Sequence, residues 1–185
     1  MRYVYHMVPN KLIGTKLIPL NGLKNVHPEL YRRYIKKYHD HPDRPQLLKK
    51  KIPKLNCLWN DVLHFLPLHP NHVYKAIQDL GIRTKENQEF FKIPIEALKK
   101  NKNGFYLYSE HNYKGPAAQI EQDEIDIMDI STYEELIKLP RSSIEYYKNE
   151  HQKGNRFGLF HFIPHVLSLG DVEIKEAEII TWNKD

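Results

Sequence analysis

Two segments typical of β-strands stand near opposite ends of the chain and do most to limit its fold. YVYHMVP, at residues 3–9, is rich in β-branched and aromatic residues and ends at a proline. VEIKEAEIITW, at residues 172–182, carries apolar side chains at strand-like spacing. Helical patterns lie between them. We therefore expect an α+β fold whose first and last strands lie close together in one sheet.

The length of the chain fits a single domain. Its 185 residues can bury one core, so we expect residues 1–185 to form one domain, with a mixed or antiparallel sheet flanked by helices. No run of about 18 apolar residues is present, and the N-terminus lacks the order of a signal peptide. The single cysteine, Cys57, has no internal partner and lies among apolar neighbours. These features predict a cytoplasmic protein without a membrane partner.

Three segments between the terminal strands predict helices. HPELYRRYIKKYHDHP begins with Pro28 in a first-turn position and has one apolar and one basic face. NHVYKAIQDLGI is expected to start at Asn71 as an N-cap and to end at Gly81. In the acidic region 121–150, Ser131 and Glu134 fit a capping box that opens STYEELIKL. The stretch NKLIGTKLIPLNGL is expected to form turns around a short extended piece.

Positive charge is concentrated in the first part of the chain. Residues 1–54 carry 13 lysines or arginines against 3 acidic residues, a net charge of +10, whereas the whole chain carries +5. Such a concentration favours binding of phosphate groups, either on a nucleic acid or on a dinucleotide. A solvated helix face with lysines for solubility is the alternative. For a nucleic-acid-binding protein, Tyr31, Tyr34 and Tyr38 could stack on bases while the arginines contact phosphates.

The chain contains eleven histidines, which raises the question of a metal site. A histidine-based metallohydrolase would draw on His64, His69, His161 and His165. Their spacing matches neither a His-Glu-x-x-His helix nor a cysteine-rich zinc pattern, and neighbouring prolines interrupt the elements that would present them. We therefore expect no metal. Phosphate-binding loops with Walker or dinucleotide glycine patterns and serine nucleophile elbows are also absent.

Several short motifs resemble the ADP-ribosyltransferase superfamily. VYHMVP followed by LIPLNGL resembles the Tyr-His strand and the Ile…Gly-Leu segment with which its small members open. WNDVLHFLPLHPNHVY is similar to a block of the DarT-type DNA ADP-ribosyltransferases. EAEIITW resembles the strand that carries the catalytic glutamate in DarT-type enzymes and in the RNA 2′-phosphotransferases. Together these motifs cover about a third of the chain, and they imply an ADP-ribosyltransferase-like fold that uses NAD as a substrate.

The resemblance also implies roles for individual residues. His6 would bind a ribose hydroxyl, Tyr74 would stack on the nicotinamide or adenine ring, and Glu178, or its neighbour Glu176, would stabilise the cationic sugar. Asn21 and His64 lie in the matching segments and would contact the dinucleotide.

One departure from the family pattern affects the diphosphate site. The chain has Pro-Leu-His-Pro where the DarT-type block has an arginine, so Arg33 or Arg44 from the basic segment would supply the guanidinium. The protein would be either an active transferase or a degenerate relative that only binds nucleotide, and the sequence does not identify an acceptor.

Overall fold

Antiparallel strands form the framework of the fold, and helices pack around them. The structure is a computed structural model that describes residues 1–40 and 44–184. Within these ranges the α-helices are α1 Leu20–Val26, α2 Pro28–Ile35, α3 Asn71–Asp79 and α4 Arg141–Gln152. The strands are β1 Tyr3–Met7, β2 Lys16–Leu17, β3 Lys51–Ile52, β4 Cys57–Leu58, β5 Val62–Phe65, β6 Glu89–Pro94, β7 Lys102–Tyr106, β8 Ile125–Ile127, β9 His165–Leu169, β10 Val172–Glu173 and β11 Glu178–Thr181.

The longer strands form two antiparallel sheets. One has the order β1-β6-β11 and the other the order β5-β9-β7-β8. The remaining strands form the two-stranded pairs β10-β2 and β3-β4. The α+β class and the antiparallel sheet are therefore confirmed. The first and last strands do share a sheet, but β6 lies between them.

A short contact joins the two larger sheets. Tyr5 of β1 and Leu66, the residue after β5, exchange backbone hydrogen bonds of 2.9 and 2.8 Å. This antiparallel bridge places the middle of β1 beside the end of β5. Strands that are far apart in the sequence are thereby brought together where the candidate site lies.

The face of each strand residue follows from the register of the three-stranded sheet. His6 pairs with Phe91, which pairs with Ile179, whereas Tyr5 pairs with Lys92, which pairs with Glu178. Paired residues point to the same face and successive residues to opposite faces. The His6 face packs into a core with Val4, Phe65 and Phe91, and the Tyr5 face packs into another with Phe90 and Trp182.

Three local expectations were wrong. The segment 131–139 is not helical, and Ser131 instead donates its backbone N–H to Asp129 in a turn. Residues 20–23, expected to form a turn, belong to the short helix α1. Asn71 is not an N-cap because its buried side chain donates to the carbonyl of Trp182 at 2.8 Å. At Ser131 a local turn, and at Asn71 a contact with a distant part of the chain, replaced the expected cap.

The last predicted strand is also divided in two. Val172–Glu173 pairs with β2, and Glu178–Thr181 pairs with β6. The start of α2 at Pro28 agrees with the sequence pattern. Among the described residues, the structure contains no helix long and apolar enough to cross a membrane.

Candidate functional site

The helices α1 and α2 and the stretch 9–18, which includes β2, enclose a cavity against the ends of β1, β5 and β9. Its volume is about 450 Å³, which lies in the range of small-molecule sites. Apolar side chains such as Leu20, Leu23 and Leu30 form much of the helical wall. Among the polar groups that line it, two sets are considered first, the histidines His6, His64 and His165 and the lysines Lys11, Lys16 and Lys37. Their placement decides what the cavity can bind.

The histidine group consists of His6, His64 and His165, which all line the cavity. His64 pairs with Leu167 across β5 and β9, and His165 lies two residues before Leu167. The two histidines are therefore diagonal neighbours on one sheet face, with ring centroids 6.4 Å apart. The bridge between Tyr5 and Leu66 brings β1 alongside and adds His6.

Each histidine of this group is neutral at pH 7. Desolvation by burial is the largest cause and lowers the pKa of His6 to about 4, of His64 to about 3 and of His165 to about 4. For His64, the neighbouring His165 lowers the pKa further. The positive charge of Lys37 acts in the same direction on His6 and His64. Hydrogen bonds to backbone carbonyls oppose these effects and are too weak to restore the charge.

Those carbonyls also determine which ring nitrogen carries the proton. Nδ1 of His6 lies 2.7 Å from the oxygen of Met7, Nε2 of His64 lies 3.1 Å from that of Trp59, and Nδ1 of His165 lies 2.7 Å from that of Ile163. A carbonyl oxygen can only accept, so a neutral imidazole must place its single N–H there. The second nitrogen of each ring is consequently an acceptor. None of these three nitrogens is both buried and without a hydrogen-bond partner.

The lysine group consists of Lys11, Lys16 and Lys37, and these side chains are exposed where the cavity meets solvent. His27 lines the same cavity. No aspartate or glutamate lines it among the residues that the structure describes. The cavity therefore offers positive charge near solvent and neutral acceptors further in. This distribution favours a ligand with an anionic part and a part rich in hydrogen-bond donors.

Hydrogen bonds hold the walls of the cavity in place. The hydroxyl of Tyr34 donates to the carbonyl oxygen of Lys11 at 2.7 Å and ties the stretch 9–18 to α2. The hydroxyl of Tyr38 donates to Oδ1 of Asn60 at 2.7 Å, whereas Nδ2 of Asn60 is buried without a partner. The Trp59 ring lies 4.3 Å from that of His64.

Several residues that the resemblance selected lie beside the cavity rather than in its wall. Nδ2 of Asn21 donates to Oδ1 of Asp61 at 2.7 Å and so ties α1 to the turn before β5. Arg33 is exposed on α2. Arg44 is also exposed, and its Nη1 donates to the carbonyl oxygen of Lys37 at 3.1 Å. Of the expected dinucleotide contacts, the structure places His6 and His64 together in the cavity.

The other residues expected to be catalytic lie elsewhere. Tyr74 packs against Trp182 in the second core, with ring centroids 5.4 Å apart. Glu178 lies on the opposite face of the three-stranded sheet from His6 and forms an ion pair of 3.3 Å with Lys92. Glu176 is exposed in the turn before β11. The expected cleft shared by His6 and Glu178 is therefore not formed.

The four histidines considered for a metallohydrolase are divided among three environments. His64 and His165 belong to the cavity, and the His69 ring contacts that of Tyr5 at 5.1 Å. His161 accepts or donates a hydrogen bond of 2.9 Å with the Tyr108 hydroxyl. Within residues 1–40 and 44–184, no three histidine, cysteine or acidic side chains are grouped so that they could hold a metal ion.

The aromatic residues of the basic helix are mostly engaged within the protein. Tyr38 is only 8 % exposed, and Tyr34 is half-buried with its hydroxyl bonded. Tyr38 is therefore unable to stack on a base. Arg32 and Arg33 remain exposed on the outer face of α2 and are available for phosphate contacts.

Sequence reasoning missed His165 and the lysine group as parts of one site. His165 was considered only as a metal ligand, and Lys11 and Lys16 lie on a stretch expected to form turns. The one feature of the sequence that indicated this site was the density of positive charge in residues 1–54. This segment includes all three lysines of the group.

No family model matches the chain, and no curated protein or solved structure matches it significantly.

Proposed function

We propose that the protein binds a dinucleotide, NAD, in the cavity between α1, α2 and the ends of β1, β5 and β9. The observation that carries this proposal is the division of polar groups in the cavity wall. Exposed lysines offer positive charge to the diphosphate, and neutral histidines further in offer acceptors to sugar hydroxyls. The resemblance to ADP-ribosyltransferases implies a ribose-binding role for His6, and His6 lines this cavity.

The arrangement supports binding better than transfer of ADP-ribose through Glu178. Breaking the bond between nicotinamide and ribose develops positive charge on the sugar, which a nearby carboxylate stabilises. The described wall of the cavity contains no carboxylate, and Glu178 points from the other face of the sheet. We therefore propose a nucleotide-binding, ADP-ribosyltransferase-like protein whose site does not use Glu178 for catalysis.

Calorimetric titration with NAD tests the proposal. Wild-type protein is expected to show saturable binding, and His6→Ala should weaken it by about tenfold or more because the ligand loses a buried acceptor. His151→Ala is the matched control, since His151 is exposed in α4 and does not line the cavity. Absence of binding by the wild type, or equal binding by His6→Ala, would contradict the proposal.

A nucleic-acid-binding function is the second candidate, and the exposed arginines of α2 are the observation that favours it. Arg32 and Arg33 are exposed near the end of α2, and Lys36 is exposed directly after it. Binding through such residues weakens steeply with salt and does not need a small molecule. Titration with single- and double-stranded oligonucleotides at two salt concentrations tests this candidate. Unchanged binding by Arg32→Ser with Arg33→Ser would exclude the α2 surface.

A further inference from the structure

His64 and His165 present two hydrogen-bond acceptors close together and no donor to the cavity. Their N–H groups are held by the carbonyl oxygens of Trp59 and Ile163, so each ring keeps one free acceptor nitrogen. The two rings are diagonal neighbours on β5 and β9. The pair therefore requires a ligand that donates to both imidazoles.

Because His64 and His165 accept hydrogen bonds and donate none to the cavity, they cannot form the binding site of a phosphate group. A phosphate at neutral pH carries acceptor oxygens and negative charge, and two neutral imidazole acceptors would repel it. The lysine group, nearer to solvent, is the favourable place for such an anion. The phosphates of a nucleotide consequently lie toward Lys11, Lys16 and Lys37, and the sugar lies deeper.

We infer that His64 and His165 are specificity-determining residues that together recognise the vicinal hydroxyls of a ribose. This inference rests on the proposed function and assigns a sugar subsite within it. Neighbouring hydroxyls supply two donors on adjacent carbon atoms, one for each ring. The ring centroids are 6.4 Å apart, so both imidazoles lie close enough to face one sugar ring.

The inference predicts selection for ribose over deoxyribose. A ligand without one hydroxyl would leave one imidazole nitrogen desolvated and unpaired in a buried site, which costs more than the hydrogen bond itself contributes. NAD contains two riboses with the same chemistry. Two analogues distinguish them, one without the 2′-hydroxyl of the adenosine ribose and the other without that of the nicotinamide ribose.

The test is calorimetric titration of wild-type protein, His64→Phe and His165→Phe with NAD and both analogues. The wild type should bind one analogue at least about tenfold more weakly than NAD. Phenylalanine preserves the ring shape and removes the acceptor. The variant that lacks the imidazole paired with the 2′-hydroxyl should therefore bind NAD and that analogue within about threefold of one another, whereas the other variant should keep the discrimination. His151→Phe, altered at an exposed histidine outside the cavity, should retain the wild-type discrimination.

The outcomes separate this inference from the proposed function. If the wild type binds NAD and both analogues equally, the diol subsite is wrong while dinucleotide binding stands. Discrimination that persists in both phenylalanine variants would also overturn the subsite. If the wild type binds none of the three ligands, the proposed function fails as well. The wild-type comparison needs no variant, so it tests recognition of the hydroxyl even where a substituted protein folds poorly.

Discussion

His64 and His165 lie on one face of the four-stranded sheet with ring centroids 6.4 Å apart, and each keeps its N–H on a backbone carbonyl. Two imidazoles at this distance disfavour each other's protonation, and His165 lowers the pKa of His64. With Lys37 nearby, the histidine group is held in its neutral form. This relationship affects both stability and ligand binding.

Stability should decrease as the solution is acidified. The histidine group has folded-state pKa values of about 4, 3 and 4, below the unfolded value of 6.5. Below pH 6.5 the unfolded chain takes up protons that the folded chain does not, so the free energy of unfolding falls between pH 6.5 and about 4. The loss should reach up to about 2 kcal/mol per histidine at pH 5. Above pH 6.5 these groups leave stability unchanged.

Urea denaturation at pH 7.5, 6 and 5 measures this effect. His165→Phe removes one titrating group and should show a shallower decrease than the wild type. His151→Phe, at an exposed histidine, should follow the wild type. An equally steep decrease in His165→Phe would show that other groups cause the pH dependence.

Glu178→Gln should leave NAD affinity within about twofold of the wild type, because the side chain lies on the face of the sheet opposite His6. The ion pair with Lys92 is largely exposed, with Glu178 65 % accessible, so its loss should change the free energy of unfolding by about 0.5 kcal/mol or less. Calorimetry with NAD and urea denaturation test the two parts. A large loss of NAD affinity would show that Glu178 reaches the ligand.

Tyr74→Ala should lower stability and spare binding. The ring packs against Trp182 in the second core and does not line the cavity. Truncation of a partly buried aromatic ring should reduce the free energy of unfolding by about 2–3 kcal/mol. Tyr74→Phe retains the ring and should be close to the wild type. Weaker NAD binding by Tyr74→Phe in calorimetry would indicate that the hydroxyl contacts the ligand.

Lys37→Ala should weaken NAD binding by about threefold to tenfold, because it removes positive charge beside the cavity. The difference from the wild type should shrink at high salt, since screening weakens the interaction of an exposed lysine with the diphosphate. Lys24→Ala is the control, because Lys24 is exposed on α1 outside the cavity. Titrations at 50 and 500 mM salt make the comparison. Equal losses in the two variants would point to overall charge rather than to this site.

The predictable parts of the fold were those determined by local pattern. The opening strand and the start of α2 at Pro28 follow from β-branched residues and from the fixed backbone angle of proline. The position of Glu178 was not predictable, because a shift of one residue in strand register moves a side chain to the other face. Glu178 stands between Ala177 and Ile179. Because the Ile179 side chain is 56 % exposed, its apolar character does not mark the buried face of the strand.

The cavity was harder to predict because it depends on contacts between distant segments. Lys11 is held in place by the hydroxyl of Tyr34, 23 residues later. His165 meets His64 only through pairing of β5 with β9. No local sequence pattern encodes either contact, and only the charge density of residues 1–54 indicated where such a site lies.

The bridge between Tyr5 and Leu66 is the point at which the two larger sheets are joined by backbone hydrogen bonds. His6 follows one partner of this bridge directly, and His64 precedes the other by two residues. The spacing between these imidazoles therefore depends on the angle at which the sheets meet and not on either sheet alone. A substitution in a remote core that tilts one sheet would move His6 relative to His64 and His165 while every residue of the cavity stayed the same.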